Sequence, residues 1–319
     1  MKTRWLIGWF LVGILGFSLM TSCGNHRSEG ISSGEQPAGE CQIVQHELGE
    51  TCVPNDPQRV ATLSLYTLAH AISLGVKPIG STHIDNWYPA PYLEEKLNGI
   101  DALGNERPNF EKLLSLKPDV VVGLDWDEAI YPTLSEIAPT VLDDWGGTEN
   151  WQVHLDLVAE VLGKQEEAEQ AWAHYYKRIE ELKEAIGNRY NGKTISLAFV
   201  APGVIFSETK GAFSDSILKD IGLQRPTAQD GVVADSQLQF GEESLDIADG
   251  DFLFIGGLTR DEKDKILELE QQPLWQKLRA VQENHVYIID YMTWRGGNLI
   301  AAYAVIDDLF KYLVNVDDE

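Results

Sequence analysis

The chain has 319 residues, of which 44% are hydrophobic and 24% charged, and these proportions are typical of a globular protein long enough for two cores. It carries 25 Lys and Arg against 50 Asp and Glu, so its formal net charge is −25 at pH 7. A chain this acidic is a poor partner for nucleic acid or for an anionic membrane surface, so its charge argues against either as the main partner, although a local pocket can carry the opposite sign.

The N-terminal segment has the pattern of an export signal. Two basic residues precede an apolar run from Trp5 to Met20, which is shorter than the roughly 20 residues of a membrane-spanning helix. The small residues before Cys23 resemble a bacterial lipobox, although Met20 stands where that motif usually has Leu. We therefore expect a signal peptide over 1–22 and a lipidated Cys23; a retained membrane anchor or a plain secretory signal are the alternatives.

Residues 23–40 contain the lipidation site and a stretch rich in Gly, Ser and Glu without an apolar pattern, which predicts a solvated tether with a reach of roughly 20 Å. Cys41 and Cys52 flank an alternating run and a Gly-Glu turn, so they are candidates for a disulfide-pinned hairpin outside the cytoplasm. Two free thiols are the alternative. A structural zinc site is disfavoured because no second cysteine pair is present.

The next segment alternates strand and helix patterns. A β-rich run that reaches Leu65, a helix that ends at Gly75 and a second short strand predict a βαβ unit and therefore a parallel sheet. Two further helix and strand pairs follow, with strands near 120–122 and 140–142. These elements predict a small doubly wound α/β lobe over 41–163.

Residues 164–187 contain no proline and show the strongest periodicity in the chain. Apolar side chains recur at steps of 4, 3, 4, 3 and 4, which predicts a helix about 36 Å long with one apolar stripe. The stripe consists of Ala168, Trp172, Tyr175, Ile179, Leu182 and Ile186. This helix is either an ordinary packing helix of one large domain or a stiff spacer between two lobes.

Beyond this helix the same order of elements returns. Strands are predicted near 194–200 and 252–255, with helices between them at 215–221 and 243–247. The sequence thus predicts a second α/β lobe over 188–319. The repeat favours the spacer interpretation of the central helix.

The spacing of acidic residues supports the repeat. Glu111 precedes Asp119 by 8 residues, and Glu243 precedes Asp251 by 8. Glu111 comes 48 residues after Leu63 and Glu243 comes 46 residues after Leu197, and each of these leucines lies in the first predicted strand of its lobe. We therefore predict an α/β fold of two Rossmann-like parallel-sheet lobes joined by a single long α-helix.

Several stretches carry a family resemblance that spans nearly the whole mature chain. They are PQRVATLSLYTLAHAISLGVKPIGS, PNFEKLLSLKPDVVVGL, LSEIAPTV, PLWQKLRAVQENHVYIID and WRGGN. In this order they resemble the substrate-binding lipoproteins of ABC importers for ferric siderophores and cobalamin. The resemblance implies a periplasmic, lipid-anchored monomer without cofactor or enzymatic activity, which captures an Fe(III)-siderophore between its lobes and delivers it to an inner-membrane permease.

Ligands of open parallel sheets bind beyond the carboxyl ends of the strands, and aromatic residues are frequent at these positions here. Each provides a large, rigid contact surface, although any one of them could instead be a core residue or a loop anchor. The aromatic candidates are Tyr66, Trp87, Trp126 and Trp145 in the first lobe and Tyr291 and Trp294 in the second.

Basic residues are scarce, so those near predicted strand ends of the second lobe are candidate ligand-binding residues. Arg225, Arg260 and Arg295 are the candidates, and Arg295 in the WRGGN stretch is the best of them. A guanidinium binds carboxylate or catecholate oxygens through a planar fork of donors. The resemblance implies recognition of an anionic ferric chelate in which siderophore oxygens, not protein atoms, hold the iron.

The resemblance also implies that one exposed glutamate on each lobe docks onto permease arginines. The matching positions are Glu111 and Glu243, and Glu242 is an alternative to Glu243 because the residues before Glu243 depart from the family pattern. An ordinary acid favoured by a helix dipole would contribute only about 0.3–1 kcal/mol and would not explain its presence in both lobes.

The sequence gives less support to other functions. The signatures of α/β hydrolases, dinucleotide-binding proteins, P-loop proteins and zinc proteases are missing, which disfavours an enzyme. A binding protein for bare zinc or manganese would need clustered ligands, whereas the seven histidines are scattered; His70, His83 and His154 could still converge in space. Cobalamin and haem remain alternative ligands. Because the connector is helical, we expect only a small lobe movement on binding.

Overall fold

The computed structural model describes residues 41–84, 90–231 and 237–315. Trp87, Cys23, the predicted signal peptide and the predicted tether lie outside these residues. The strands are β1 Cys41–His46, β2 Gly49–Pro54, β3 Val60–Thr62, β4 Gly80–Ser81, β5 Asp101–Ala102, β6 Val120–Leu124, β7 Thr140–Asp143, β8 Ile195–Ala201, β9 Val204–Glu208, β10 Gln237–Phe240, β11 Phe252–Gly257 and β12 Val286–Ile288.

Ten α-helices are described, together with short 3₁₀ segments and a C-terminal π-helical turn. The α-helices are α1 Leu65–Ser73, α2 Phe110–Leu116, α3 Tyr131–Ile137, α4 Trp151–Leu162, α5 Gln165–Ile186, α6 Phe213–Ile221, α7 Arg260–Leu269, α8 Arg279–Gln282, α9 Tyr291–Trp294 and α10 Leu299–Leu309. No helix within the described ranges combines the length and apolar character needed to cross a membrane.

An antiparallel hairpin, β1 and β2, opens the described chain and is closed by a disulfide between Cys41 and Cys52. It packs on the first lobe at β7: Glu47 N donates to Leu142 O at 3.1 Å, and Thr51 Oγ1 donates to Thr140 O at 2.9 Å. The hairpin is thus attached to the lobe by backbone as well as side-chain bonds.

The first lobe is a five-stranded, fully parallel sheet in the order β5-β4-β3-β6-β7. Its central strands are buried and rich in valine, as expected for strands covered on both faces. The helix before β6 begins at Asn109, whose side chain accepts from Lys112 N at 2.9 Å, and ends at Lys117 with a φ of 48° before Pro118. These local signals place the strand ends that build the site.

The second lobe is a mixed sheet in the order β10-β9-β8-β11-β12. Strands β8, β11 and β12 are parallel, as predicted, whereas β9 and β10 form an antiparallel edge. The reversal occurs at the two-residue turn Pro202-Gly203, where Gly203 adopts a φ of 74° that other residues rarely tolerate. The predicted helix over 243–247 is a 3₁₀ segment, Glu242–Ala248.

Helix α5 has 22 residues and begins and ends within one residue of the predicted segment. It packs against both lobes: Trp172 Nε1 donates to Asp156 in α4 at 2.9 Å, and Tyr175 OH donates to Asp220 in α6 at 2.8 Å. Both interpretations of this helix therefore apply: it connects the two lobes, and it also packs against each of them.

One hydrophobic cluster runs through both lobes and the connecting helix. It includes Val120 of β6, Trp151 of α4, Tyr175 of α5, Phe213 of α6 and Val305 of α10, all of which are 0% exposed. Each lobe has a smaller core of its own. The shared cluster joins the described residues of both lobes and the connecting helix into one compact unit.

Candidate functional site

A cavity of about 190 Å³ lies where the two lobes meet. The first lobe contributes side chains from the ends of its parallel strands, and the second contributes the segment around α9. The lining residues are Ser64, Leu65, Tyr66, His83, Tyr92, Trp126, Met292, Arg295 and Gly296. A ligand in this cavity would therefore contact both lobes at once.

Three of the predicted aromatic residues form one cluster at this cavity. Tyr66, Trp126 and Trp145 follow β3, β6 and β7; the ring centroids of Tyr66 and Trp145 are 4.1 Å apart, and those of Trp126 and Trp145 are 5.3 Å apart. Trp145 is stacked on His154, which also bonds to Asp143 and so orients the indole from behind. Trp126 is 49% exposed and is the member most available to a ligand.

Arg295 faces this cluster from the second lobe. Its Nε donates to Glu208 Oε1 at 2.8 Å, its Nη1 donates to the Tyr291 hydroxyl, and its guanidinium lies 4.9 Å from the centroid of the Phe206 ring. No described residue accepts a hydrogen bond from Nη2. The guanidinium is thus fixed on one side and keeps one nitrogen for a ligand oxygen.

Glu208 is the buried partner of Arg295 and was not predicted from the sequence. Burial raises the pKa of its carboxyl above the ordinary value, and the Arg295 charge offsets only part of this rise. Burial is the largest single influence on the pKa of Arg295 and lowers it, but Glu208, Tyr291 and Tyr66 together raise the pKa above its ordinary value. Tyr291 packs edge-on to Phe199 and holds the same guanidinium, so it acts behind the cavity surface.

Three predicted ligand residues are placed away from the cavity. Arg225 is 8% exposed, and its Nη1 and Nη2 donate to Asp215, Ser207 and Gln229 within the second lobe. Trp294 is 0% exposed because its ring enters the shared core and its Nε1 donates to Asp308 at 2.7 Å. Arg260 is exposed at the start of α7, outside the residues that line the cavity.

The structure adds lining residues that sequence reasoning missed. His83 follows β4, so the strand-end rule could have found it; burial lowers the pKa of its imidazole. Tyr92 lies on a 3₁₀ segment without a comparable signal, and its hydroxyl accepts from Asn298 Nδ2 at 3.0 Å across the lobes. The lobes also approach closely at Gly297, where a Cβ would lie 2.9 Å from a Tyr66 ring carbon.

Asp127 lies next to the exposed Trp126 but is itself 6% exposed. Burial raises the pKa of this carboxyl to about 6 from an ordinary 3.8, since the charged form loses its hydration. The charge of Asp127 therefore changes close to neutral pH, closer than the charge of His70 or Tyr92.

The predicted docking glutamates both lie on the surface. Glu111 and Glu243 are exposed, and neither forms an ion pair with a described residue, whereas Glu242 pairs with Lys265 at 2.6 Å. Glu243 also lines a groove of about 660 Å³ in the second lobe, together with Asp261. Of the two candidates in this lobe, Glu243 is therefore the one with an unpaired carboxylate.

The histidines do not assemble a metal site within residues 41–84, 90–231 and 237–315, where no group of three or more His, Cys, Asp or Glu could hold an ion. His70 is 0% exposed, and burial lowers its pKa to about 3. His154 is engaged with Asp143, and His83 lines the cavity alone.

The sequence profile of the family described as "Periplasmic binding protein" matches residues 60–292. The chain belongs to this periplasmic binding protein family. Membership confirms the predicted family and a binding protein in place of an enzyme. The two-lobed α/β fold predicted for this binding protein is likewise confirmed by solved relatives.

Relatives of this periplasmic binding protein are named for iron chelates. It is 28% identical to the "Probable siderophore-binding lipoprotein YfiY" of Bacillus subtilis, covering 97% of this chain and 98% of the relative. It is 30% identical to the "Achromobactin-binding periplasmic protein" of Dickeya dadantii, covering 80% and 86%. SirA of Staphylococcus aureus, solved with staphyloferrin B, superposes with a TM-score of 0.75 at 26% identity, over 87% of this chain and all of SirA.

Proposed function

We propose that this protein binds a ferric siderophore outside the cytoplasm and delivers it to an ABC-type permease. The observation that carries the proposal is the cavity between the lobes, which has aromatic rings on one wall and the open Nη2 of Arg295 on the other. The names of the relatives support the same ligand class.

Different residues contact different parts of the chelate. Trp126 and Tyr66 contact the flat or apolar parts of the chelate, and Arg295 donates to an anionic oxygen. Siderophore oxygens hold the iron, so the protein needs no metal ligands of its own. A chelate is a cargo here, and no cofactor takes part.

Tryptophan fluorescence tests the ligand assignment. Titration of the iron-free protein with ferric siderophores should quench the emission of Trp126, while the same siderophores without iron bind more weakly. Trp126→Ala should weaken binding about tenfold, and Tyr176→Ala, which removes an aromatic of the same 49% exposure outside the cavity, should not change it. Tight binding of cobalamin, haem or zinc with no response to any ferric chelate would overturn the proposal.

Permease docking is assigned to Glu111 and Glu243. Two unpaired carboxylates, one on each lobe, are suited to arginines of a membrane partner. Replacing both with Ala should abolish siderophore uptake by cells and leave ligand affinity unchanged. The matched control replaces Glu111 and the already paired Glu242; it removes the same charge and should retain more transport. Intact uptake by the first variant would show that docking lies elsewhere.

The N-terminal segment is assigned to export and anchoring. We propose removal of 1–22, lipidation of Cys23 and a tether up to residue 40, followed by lobes over 41–163 and 188–319 and the connecting helix over 164–187. Several relatives are named lipoproteins, which supports a lipid anchor and a periplasmic or equivalent location. Cys23→Ala should move the protein from the membrane to the soluble fraction, and light scattering of that soluble form should give the mass of a monomer.

A further inference from the structure

Glu208 combines deep burial with incomplete hydrogen bonding. It is 2% exposed at the end of β9, its Oε1 accepts from Arg295 Nε at 2.8 Å, and its Oε2 has no partner among the described residues. A buried carboxylate with an unpaired oxygen is costly, and a neutral side chain would serve packing better. The position therefore requires an explanation beyond stability.

The other buried charges nearby neutralise each other. Arg225 and Asp215 are 8% and 5% exposed, and their Nη1 and Oδ1 atoms are 3.3 Å apart. Arg225 also donates to Ser207 Oγ at 2.7 Å and to Gln229 Oε1 at 2.8 Å, which satisfies its second nitrogen. Arg225 also lowers the pKa of Glu208, but Arg295 is the described cation that forms an ion pair with the Glu208 carboxylate.

Among the described residues that line the cavity, Arg295 is the one Lys or Arg, and none is Asp or Glu. Apart from His83 in the lining and Asp127 beside it, whose charges depend on pH, the charge that a ligand meets there is set by Arg295 together with the carboxylate behind it. With both ionised, the pair has a net charge of zero, although Nη2 still offers a hydrogen bond.

We propose that Glu208 is a specificity-determining residue that acts through Arg295, because it cancels the guanidinium charge and fixes its orientation. The cavity then prefers ferric chelates that present one anionic oxygen but little total negative charge, and it discriminates against highly anionic chelates. This inference rests on the proposed siderophore binding and names the charge class of that ligand. Glu208 contacts Arg295 and not the ligand, so it is a positioning residue.

The test is a change in charge preference with Glu208→Gln, which keeps the shape and the acceptor for Arg295 Nε but removes the charge. Two probes are titrated by fluorescence into wild type and variant: ferrichrome, an uncharged ferric tris-hydroxamate, and ferric enterobactin, a trianionic tris-catecholate. The variant should raise the affinity for the trianionic chelate relative to the uncharged one by about tenfold or more, since each ligand charge now meets an uncancelled guanidinium. Glu208→Asp, which retains the charge, should leave the ratio nearly unchanged.

A purely structural role gives a different result. In that case Glu208→Gln lowers both affinities together, the ratio stays constant, and the inference is overturned. Adding Glu208→Gln to Arg295→Met provides a second check: without the guanidinium the buried Glu208 carboxyl takes up a proton, so Glu208→Gln should no longer change the charge preference. If neither probe nor any other ferric chelate binds wild type, the proposed function itself fails, and this outcome is distinct from an unchanged ratio.

Discussion

Trp151 is the residue whose loss should most weaken the junction of the two lobes. It begins α4 in the first lobe and is 0% exposed; its ring centroid lies 5.3 Å from that of Trp172 in α5 and 5.4 Å from that of Phe213 in α6. Its Nε1 donates to Ser216 Oγ at 3.1 Å in the second lobe. One side chain thus joins both lobes and the connecting helix.

Trp151→Ala should lower the free energy of unfolding by about 4 kcal/mol, because fully buried Trp or Phe to Ala changes cost about 3–5 kcal/mol. The lost hydrogen bond adds little, since Ser216 Oγ still donates to Phe213 O at 2.7 Å. Against a total stability of about 5–15 kcal/mol for a typical protein, this loss is large and easily measured.

Urea unfolding followed by far-UV circular dichroism measures the change. Trp126→Ala is the matched control: it removes the same side chain at 49% exposure and should cost less than about 1 kcal/mol while weakening ligand binding. If Trp151→Ala costs no more than Trp126→Ala, the shared cluster does not hold the lobes together, and the reasoning is refuted.

Three further expectations follow from other parts of the molecule. Asp127→Asn should stabilise the protein by about 2 kcal/mol at pH 7.5 but not at pH 4. The pKa of Asp127 is about 6 in the folded protein and 3.8 in the unfolded chain, so the wild type loses stability as the pH rises between these values. An equal effect of the substitution on urea unfolding at both pH values would contradict this. Replacing Cys41 and Cys52 with Ala should cost about 3 kcal/mol, with no further effect of reductant on the variant. Ligand binding should leave the radius of gyration nearly unchanged in X-ray scattering, since α5 is bonded to both lobes, and a large decrease would argue against this rigidity.

The elements with local signals were predictable from the sequence. The stripe of α5 has a period set by the helix itself, so five spacings identified it as a helix, and Gly163 and Gly187 marked its bounds. The antiparallel edge of the second lobe was missed although Pro202-Gly203 is a turn signal, because the expectation of a repeat of the first lobe took precedence. The fold class was predictable because it follows from the order of strand and helix patterns along the chain.

The site was less predictable because it depends on side-chain direction. The strand-end rule placed Tyr66, Trp126 and Trp145 correctly at one edge, but it gave no reason for Trp294 to turn inward towards Asp308. The Glu208 partner of Arg295 is 87 residues away, and no local pattern links the two. Long-range pairs of this kind require the tertiary structure.

Gly297 is a place where the main chain of the second lobe passes close to a side chain of the first. It has a φ of 55°, and a Cβ there would come within 2.9 Å of the Tyr66 ring. A larger residue would therefore be strained in its own backbone and would have to displace Tyr66, which lines the cavity. A substitution at position 297 would thus change the shape of the cavity through its effect on Tyr66.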